Sequence, residues 1–258
     1  KSYAESFSGC KVTTIVLKGA RDERFSNEIY GEVYFLECSP QSLKGLKVRA
    51  ILKVKDLLKA VSPNIVIGHR YKPFFIAVIL NFFFSIDSVF GVVHHYGFLD
   101  RKSRLLFSRF WKKNVELIGV SSPLCDYLNQ RLGRGRKKIN FVQQGYYKPI
   151  LLKKSDALRG LGLSDGKYYF GTIGRLVEKK NHKTLLKAFS KINDESNLII
   201  IGDGRLLSEL KETAQNLGIK SRVHFLGKLE MAHRYLKAFD CFIFPSTEKE
   251  EFGVVLLE

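Results

Sequence analysis

The second half of the chain repeats one pattern: a short apolar run, a turn carrying glycine or proline, then a segment of helical period. Apolar runs fall at Tyr168–Ile173, Leu198–Ile201, Val223–Leu226 and Cys241–Phe244, with helix-period stretches at about 182–190, 206–217 and 230–239 between them. Runs that stay apolar at every position, instead of alternating, suit parallel strands covered by helices on both faces. This alternation predicts an α/β lobe with a parallel sheet.

The first half carries the same rhythm more loosely. Strands are expected at Val12–Leu17, Val33–Leu36, Asn64–His69 and Ser88–Val93, with helices near Val54–Ala60 and over Pro73–Phe84. The pattern breaks at Lys148-Pro149, so the expected division is a first lobe over 1–150 and a second over 151–258.

Two stretches of the first lobe could meet a membrane. The continuous apolar run Phe74–Leu80 is seven residues long and stops at Asn81. A spanning helix needs about 20 predominantly apolar residues, so a core helix is the expectation. Over Asp100–Lys113, six basic residues (Arg101, Lys102, Arg104, Arg109, Lys112 and Lys113) are interleaved with Leu105, Leu106, Phe107, Phe110 and Trp111. That mixture suits either a helix lying on an anionic bilayer or an amphipathic helix packed on the sheet with a solvated basic face. Both readings stay open, and Arg131, Arg134, Arg136, Lys137 and Lys138 could extend the same surface.

Charge is unevenly distributed. The chain has 43 Lys+Arg against 25 Asp+Glu, a formal +18. Residues 1–150 hold 25 basic and 11 acidic side chains (+14), and residues 151–258 hold 18 and 14 (+4). A strongly basic lobe beside a nearly balanced one fits an anionic membrane, an anionic glycan or nucleic acid. Nucleic acid is disfavoured because no recognition motif accompanies the charge. Cys10, Cys38, Cys125 and Cys241 are far apart and form no CxxC pair. With no signal-peptide pattern at the start, the expectation is a reduced cytosolic chain without structural zinc.

The residues that could do chemistry sit at predicted strand exits. Gly171-Thr172-Ile173-Gly174-Arg175 ends a strand, and Lys180-Asn181-His182 opens the next helix. Glycines there let a ligand approach the backbone, and Arg175 with Lys180 could neutralise a diphosphate. Gly202-Asp203-Gly204 follows a strand but lacks the GxGxxG spacing, so a nicotinamide site is poorly supported. Its glycines fit a tight turn beside a ligand. His94 ends a first-lobe strand. His95 should diverge from it, and His69 ends a neighbouring strand. Last, Pro245-Ser246 leads into an acidic loop and then Phe252-Gly253-Val254, with Glu250 and Glu258 bracketing a possible helix start. Carboxylates at such a corner could hold sugar hydroxyls, as could a surface loop of solvated acids.

In combination these motifs resemble the retaining, nucleotide-sugar-dependent glycosyltransferases of family 4. The resemblance runs through Gly174-Arg175-Leu176, Lys180-Asn181, Gly202-Asp203-Gly204, Phe225-Leu226-Gly227, Asp240, Pro245-Ser246 and the Glu250–Glu258 segment, where Glu251 replaces the family's usual glycine. The first lobe matches more loosely, at His94, at Val120-Ser121 with Leu124 and Leu128, and at Val142–Gly145, where Gln144 replaces an asparagine. Within the family the chain looks most like bacterial lipopolysaccharide-core or surface-glycan enzymes.

The resemblance implies a GT-B fold: two Rossmann-like lobes facing across a cleft, both incomplete at the chain ends. It implies transfer of a hexose from a nucleoside-diphosphate sugar, a UDP-sugar ahead of a GDP-sugar, to a membrane-associated glycan, with no metal or cofactor required. By the same resemblance Glu250, Arg175, Lys180 and His94 carry the chemistry. Gly174, Gly202, Gly204, Leu226, Phe252, Gly253, Val254 and Glu258 complete the donor site. A cytoplasmic enzyme peripheral to the inner face of the bacterial membrane follows, with an inactive truncated chain, or a non-catalytic sugar-nucleotide or polyanion-binding module, as the alternative.

Overall fold

The computed structural model describes residues 9–21, 23–133, 139–142, 150–192 and 195–247. The chain divides into two compact units, Lys1–Gly145 and Tyr146–Glu258.

In the first unit, β1 (Thr13–Val16) pairs in parallel with β2 (Glu32–Phe35), with α1 (Glu23–Glu28) between them. Then follow α2 (Val48–Val61), β3 (Ile65–His69), α3 (Tyr71–Leu80), β4 (Ser88–Val93), α4 (Lys102–Ser108), β5 (Val115–Gly119), α5 (Ser122–Leu132) and β6 (Asn140–Phe141). The strands β3-β4-β5-β6 form a parallel sheet in chain order. Helix α2 buries Ala50, Val54 and Leu58, one stripe at a spacing of four. Helix α3 presses hardest on the sheet. A Cβ on Gly68 would lie 2.6 Å from Phe74 Cα, and one on Gly91 would strike the Phe74 ring and Leu117.

Asn81 decides where α3 ends. It is buried and exchanges side-chain amide hydrogen bonds with Asn114 at 3.0 and 3.2 Å, while its carbonyl accepts from Lys112 Nζ at 2.6 Å. The helix therefore stops at Leu80, short of the expected Phe84, and Phe82 and Phe83 stay exposed. The basic stretch also forms less helix than its periodicity predicts. Only Lys102–Ser108 is helical, and Trp111 turns inward to meet Phe74 edge-on at 5.0 Å. Leu106 and Phe110 remain exposed, so this segment is partly core and partly apolar surface. Among the described residues, no helix is long and apolar enough to cross a membrane.

In the second unit α6 (Lys154–Gly160) leads into β7 (Tyr169–Ile173), α7 (His182–Phe189), β8 (Asn197–Ile201), α8 (Leu207–Asn216), β9 (Val223–Gly227) and β10 (Cys241–Phe242). Helix α6 falls where the sequence suggested only an interlobe break. The segment expected as a helix over 230–239 is a 3-10 helix, Ala232–Ala238. The four-stranded sheet runs β10-β7-β8-β9, all parallel. Strand β8 is buried throughout, which explains its unbroken Leu-Ile-Ile-Ile. Helix α7 buries positions 182, 185, 186 and 189, the spacing of one helical face.

The strand order fixes where a ligand can enter. From β7 the chain winds outward through β8 and β9, then returns to place β10 on the other side of β7. That reversal is a topological switch point, and the crevice outside the C-terminal ends of β7 and β10 is the place in such a sheet that takes ligands.

Candidate functional site

The switch point is built from backbone packed against backbone. Gly174 follows β7, and its N–H donates to the Ile201 carbonyl at 2.9 Å. Gly202 follows β8 with φ at +143°, and a Cβ there would sit 1.9 Å from the Gly174 carbonyl oxygen. Gly204 lies nearly as close to Leu176, whose carbonyl oxygen would be 2.4 Å from an added Cβ. Reciprocal hydrogen bonds join the two loops: Leu176 N–H to the Asp203 carbonyl at 2.9 Å, and Leu206 N–H to the Leu176 carbonyl at 3.2 Å. Only glycine allows this approach. The Asp203 carboxylate accepts its own loop's Gly204 N–H at 2.7 Å, so it acts first as a turn-former.

Two cations follow β7. Arg175 is exposed directly after Gly174. Lys180 ends a 3-10 turn, Glu178–Lys180, and its ammonium lies 5.0 Å from the Phe244 ring, just beyond β10. The Thr247 N–H donates to the Lys179 carbonyl at 3.3 Å. The exits of β7 and β10 are therefore tied together by a cation–π contact and a backbone hydrogen bond. Asn181, left-handed at φ 52°, ends the turn and starts α7, with the Thr184 hydroxyl donating to its side-chain oxygen at 2.8 Å. Arg205 pairs with Glu178 and holds its carboxyl below the usual range.

His182, the first residue of α7, is buried, and among the described residues neither ring nitrogen has a hydrogen-bond partner. Burial, then nearby Lys180, pushes its pKa down to about 4, so it is a neutral ring at pH 7. Its register with Leu185, Leu186 and Phe189 was legible in the sequence, but its missing partners were not.

Leu226 packs half-buried on the cluster around Tyr169, Ile199 and Ile201. Asp240 pins the edge of the sheet: its carboxylate accepts the Tyr169 N–H at 2.9 Å and pairs with Lys154. Burial alone would raise its pKa, but Lys154 and the Tyr169 N–H outweigh it and hold the carboxyl below the usual range. Glu250, Phe252, Gly253, Val254 and Glu258 lie outside the described residues.

The first unit builds its strand ends from side chains. His94 follows β4 directly, and its Nε2 lies 3.0 Å from Nδ1 of His69, the last residue of β3. His95 turns away, with Nδ1 2.6 Å from the Tyr96 carbonyl oxygen. The loop beyond is clamped. The Tyr127 hydroxyl accepts the Gly97 N–H at 3.2 Å and donates to Asp100, which also pairs with Arg131 at 3.0 Å. Burial, then the Asp100 carboxylate, raises the phenol pKa and keeps it a donor. Arg104 reaches the carbonyls of Gly97 and Phe98 at 3.2 and 2.9 Å and covers the Tyr71 ring at 4.1 Å. Periodicity cannot reveal this clamp, because its members are separated by 27 and 30 residues.

A cationic cluster borders that loop. Lys47, over the Phe75 ring at 4.3 Å, has a pKa lowered by burial and then by Lys72, Arg104 and Arg101. Among the described residues no group of three His, Cys, Asp or Glu side chains could hold a metal ion.

Known proteins share this architecture. Residues 153–258 match the family described as glycosyl transferases group 1. The chain is 27% identical over 244 residues to the N-acetylgalactosamine-N,N'-diacetylbacillosaminyl-diphospho-undecaprenol 4-alpha-N-acetylgalactosaminyltransferase of Campylobacter jejuni. That match covers 88% of this chain and 64% of the relative, so the chain spans less than two thirds of its length. The Anabaena protein HepE, solved with UDP and glucose, superposes with a TM-score of 0.76 at 18% identity, covering 95% of this chain and 69% of that one. The lipopolysaccharide outer core galactosyltransferase WaaB gives a TM-score of 0.62 at 20% identity, covering 96% and 77%.

Proposed function

We propose that this chain, which has the GT-B fold and resembles family-4 glycosyltransferases related to lipopolysaccharide-core and surface-glycan synthesis, moves a hexose from a nucleoside-diphosphate sugar to a membrane-associated glycan. The observation that carries the reading is the switch point after β7 and β10. The loops there pack backbone against backbone through Gly174, Gly202 and Gly204, Lys180 lies beside Gly174 and reaches the Phe244 ring, and exposed Arg175 follows Gly174 directly.

Arg175 and Lys180 take the diphosphate and offset its charge as it leaves. The sugar C1–O bond to the diphosphate breaks, and a new C1–O bond forms to the acceptor hydroxyl on the same face. The departing phosphate oxygen takes the acceptor's proton, so the anomeric configuration is retained. His94 orients the sugar. By resemblance, Glu250 accepts hydrogen bonds from sugar hydroxyls and Glu258 from ribose, while Phe252, Gly253 and Val254 line the donor. A facing carboxylate pair of the glycosidase type is not part of the scheme. UDP is the favoured nucleotide, since HepE was solved with it; the Campylobacter relative, named for a diphospho-undecaprenol acceptor, supports a membrane-associated acceptor.

The cationic cluster at Lys47, Lys72, Arg101 and Arg104, with exposed Leu106 and Phe110 nearby in sequence, favours docking on an anionic bilayer. A peripheral enzyme on the inner face of the bacterial cytoplasmic membrane is the corresponding location. The same cluster also supports the second reading, a polyanion-binding module without transfer.

Calorimetry with UDP, GDP, ADP, CMP and their sugar conjugates tests the donor site. One nucleotide should bind selectively, and Arg175→Glu with Lys180→Glu should weaken it at least about tenfold, the loss of one charge-assisted hydrogen bond. Unchanged affinity in that variant would rule out the assignment. Co-sedimentation should show binding to vesicles containing phosphatidylglycerol and none to phosphatidylcholine alone. Equal binding to both would remove the membrane reading.

A further inference from the structure

Strands β3 and β4 are adjacent and parallel, with Gly68 opposite Gly91 and His69 opposite Val92. Side chains two apart along a strand share a face, so His94 rises on the same side as His69 while His95 faces away. The rings lie nearly parallel, 5.3 Å apart and tilted by 27°. Both strand ends are held from below: Phe74 fills the space over Gly68 and Gly91, and the Arg70 N–H donates to the Val92 carbonyl at 3.1 Å. Two imidazole nitrogens 3.0 Å apart share one proton, so the tautomer of one ring dictates that of the other. Burial lowers both pKa values, and His69 lowers that of His94 further, which keeps the pair uncharged at neutral pH.

We propose that His69 is a positioning residue, whose Nδ1 engages Nε2 of His94 and so leaves Nδ1 of His94 to meet a hydroxyl of the transferred sugar. The assignment rests on the glycosyl transfer proposed above. His94 is the ring that contacts the substrate, and His69 acts through it. A lone histidine at the end of a strand could rotate about χ2 and present either nitrogen. The hydrogen-bonded neighbour removes that freedom before the sugar arrives, so less entropy is lost when the sugar is held.

Two substitutions separate positioning from a structural role. His69→Phe keeps a flat ring against His94 but removes the hydrogen bond. His69→Asn places an amide near the position of Nδ1 and can restore it. Side-chain nitrogen NMR of the unaltered chain should show His94 as one neutral tautomer, with His69→Phe giving a mixture and His69→Asn a single form again. With the donor found by calorimetry, His69→Phe should lower kcat about tenfold while the nucleotide affinity stays within about twofold. His69→Asn should recover most of the rate.

An unchanged His94 tautomer or an unchanged kcat in His69→Phe overturns the proposal. So does a rate loss that follows the melting temperature and is not rescued by asparagine. If the unaltered chain neither binds nor transfers any nucleotide sugar, the functional reading fails instead. The NMR comparison then still decides whether His69 fixes His94.

Discussion

The two units solve the same problem, exposing a ligand-ready strand end, with different materials. In the second unit the exits of β7 and β8 are backbone against backbone, and Gly202 and Gly204 leave no room even for a methyl group. In the first unit the exits of β3 and β4 are side chain against side chain: the His69–His94 pair, and the loop held by Tyr127, Asp100, Arg131 and Arg104. Backbone packing fails abruptly when disturbed, whereas a side-chain clamp loosens by degrees. A rigid backbone turn fixes the cations that follow it, Arg175 and Lys180, for a phosphate, while adjustable rings suit a particular pattern of hydroxyls.

The sharpest way to break this comparison is Gly202→Ala. A methyl group 1.9 Å from the Gly174 carbonyl, at φ +143°, should destabilise the second unit by about 3–4 kcal/mol. Gly174→Ala, whose Cβ would meet no described atom nearer than Lys180 Cδ at 4.0 Å, should cost less than about 1 kcal/mol. The chain's one tryptophan, Trp111, lies in the first unit and gives a separate signal. In Gly202→Ala, circular dichroism should record an early step that Trp111 fluorescence does not follow. Equal stability of the two alanine variants would mean the loops yield, and the contrast between units would fall.

The next effect is acid sensitivity at the entrance to α7. His182 has a pKa of about 4 when folded against about 6.5 unfolded. The unfolded chain therefore takes up the proton first, and stability falls as pH drops from 6.5 towards 4. The loss amounts to about 3 kcal/mol at most. It is absent above pH 6.5, where both states are neutral. His182→Leu should flatten this part of the urea-midpoint-against-pH curve without lowering stability at pH 7, because no hydrogen bond is given up. An unchanged slope in that variant would assign the acid loss to another group.

Smallest of all should be Tyr127→Phe in the first unit. It removes a hydroxyl that accepts the Gly97 N–H and donates to Asp100, and should cost about 1 kcal/mol. Hydrogen exchange at Gly97 should quicken while the amides of β8 stay protected. Global unfolding in this variant would show that the first unit is as brittle as the second, against the comparison.

Legibility followed the same division. The glycines of the second unit stood out because close backbone approach permits few alternatives, and the segments 171–174 and 202–204 are short and local. Strand β8 was evident because burial on both faces leaves no polar position inside Leu198–Ile201. The end of α3 was harder: Asn81 interrupts an apolar run, but its partner Asn114 is 33 residues away. The basic stretch after Asp100 has the composition of an amphipathic helix over fourteen residues. Trp111 is drawn into the Phe74 and Phe107 cluster, and the helix ends at Ser108.

By itself the sequence determined the α/β class, the four strands of the second unit with the helices α7 and α8 between them, and the glycines and cations at its strand exits. These follow from local periodicity and from steric rules that act within a few residues. Only the tertiary structure decided that β10 returns beside β7 to make a switch point, that Lys180 rests on Phe244, that His182 is buried without a partner among the described residues, and that ring nitrogens of His69 and His94 lie 3.0 Å apart. Each of these depends on which strands become neighbours. Strand order is set by the burial of whole faces across the sheet, a sum over many distant residues that no short window of sequence contains.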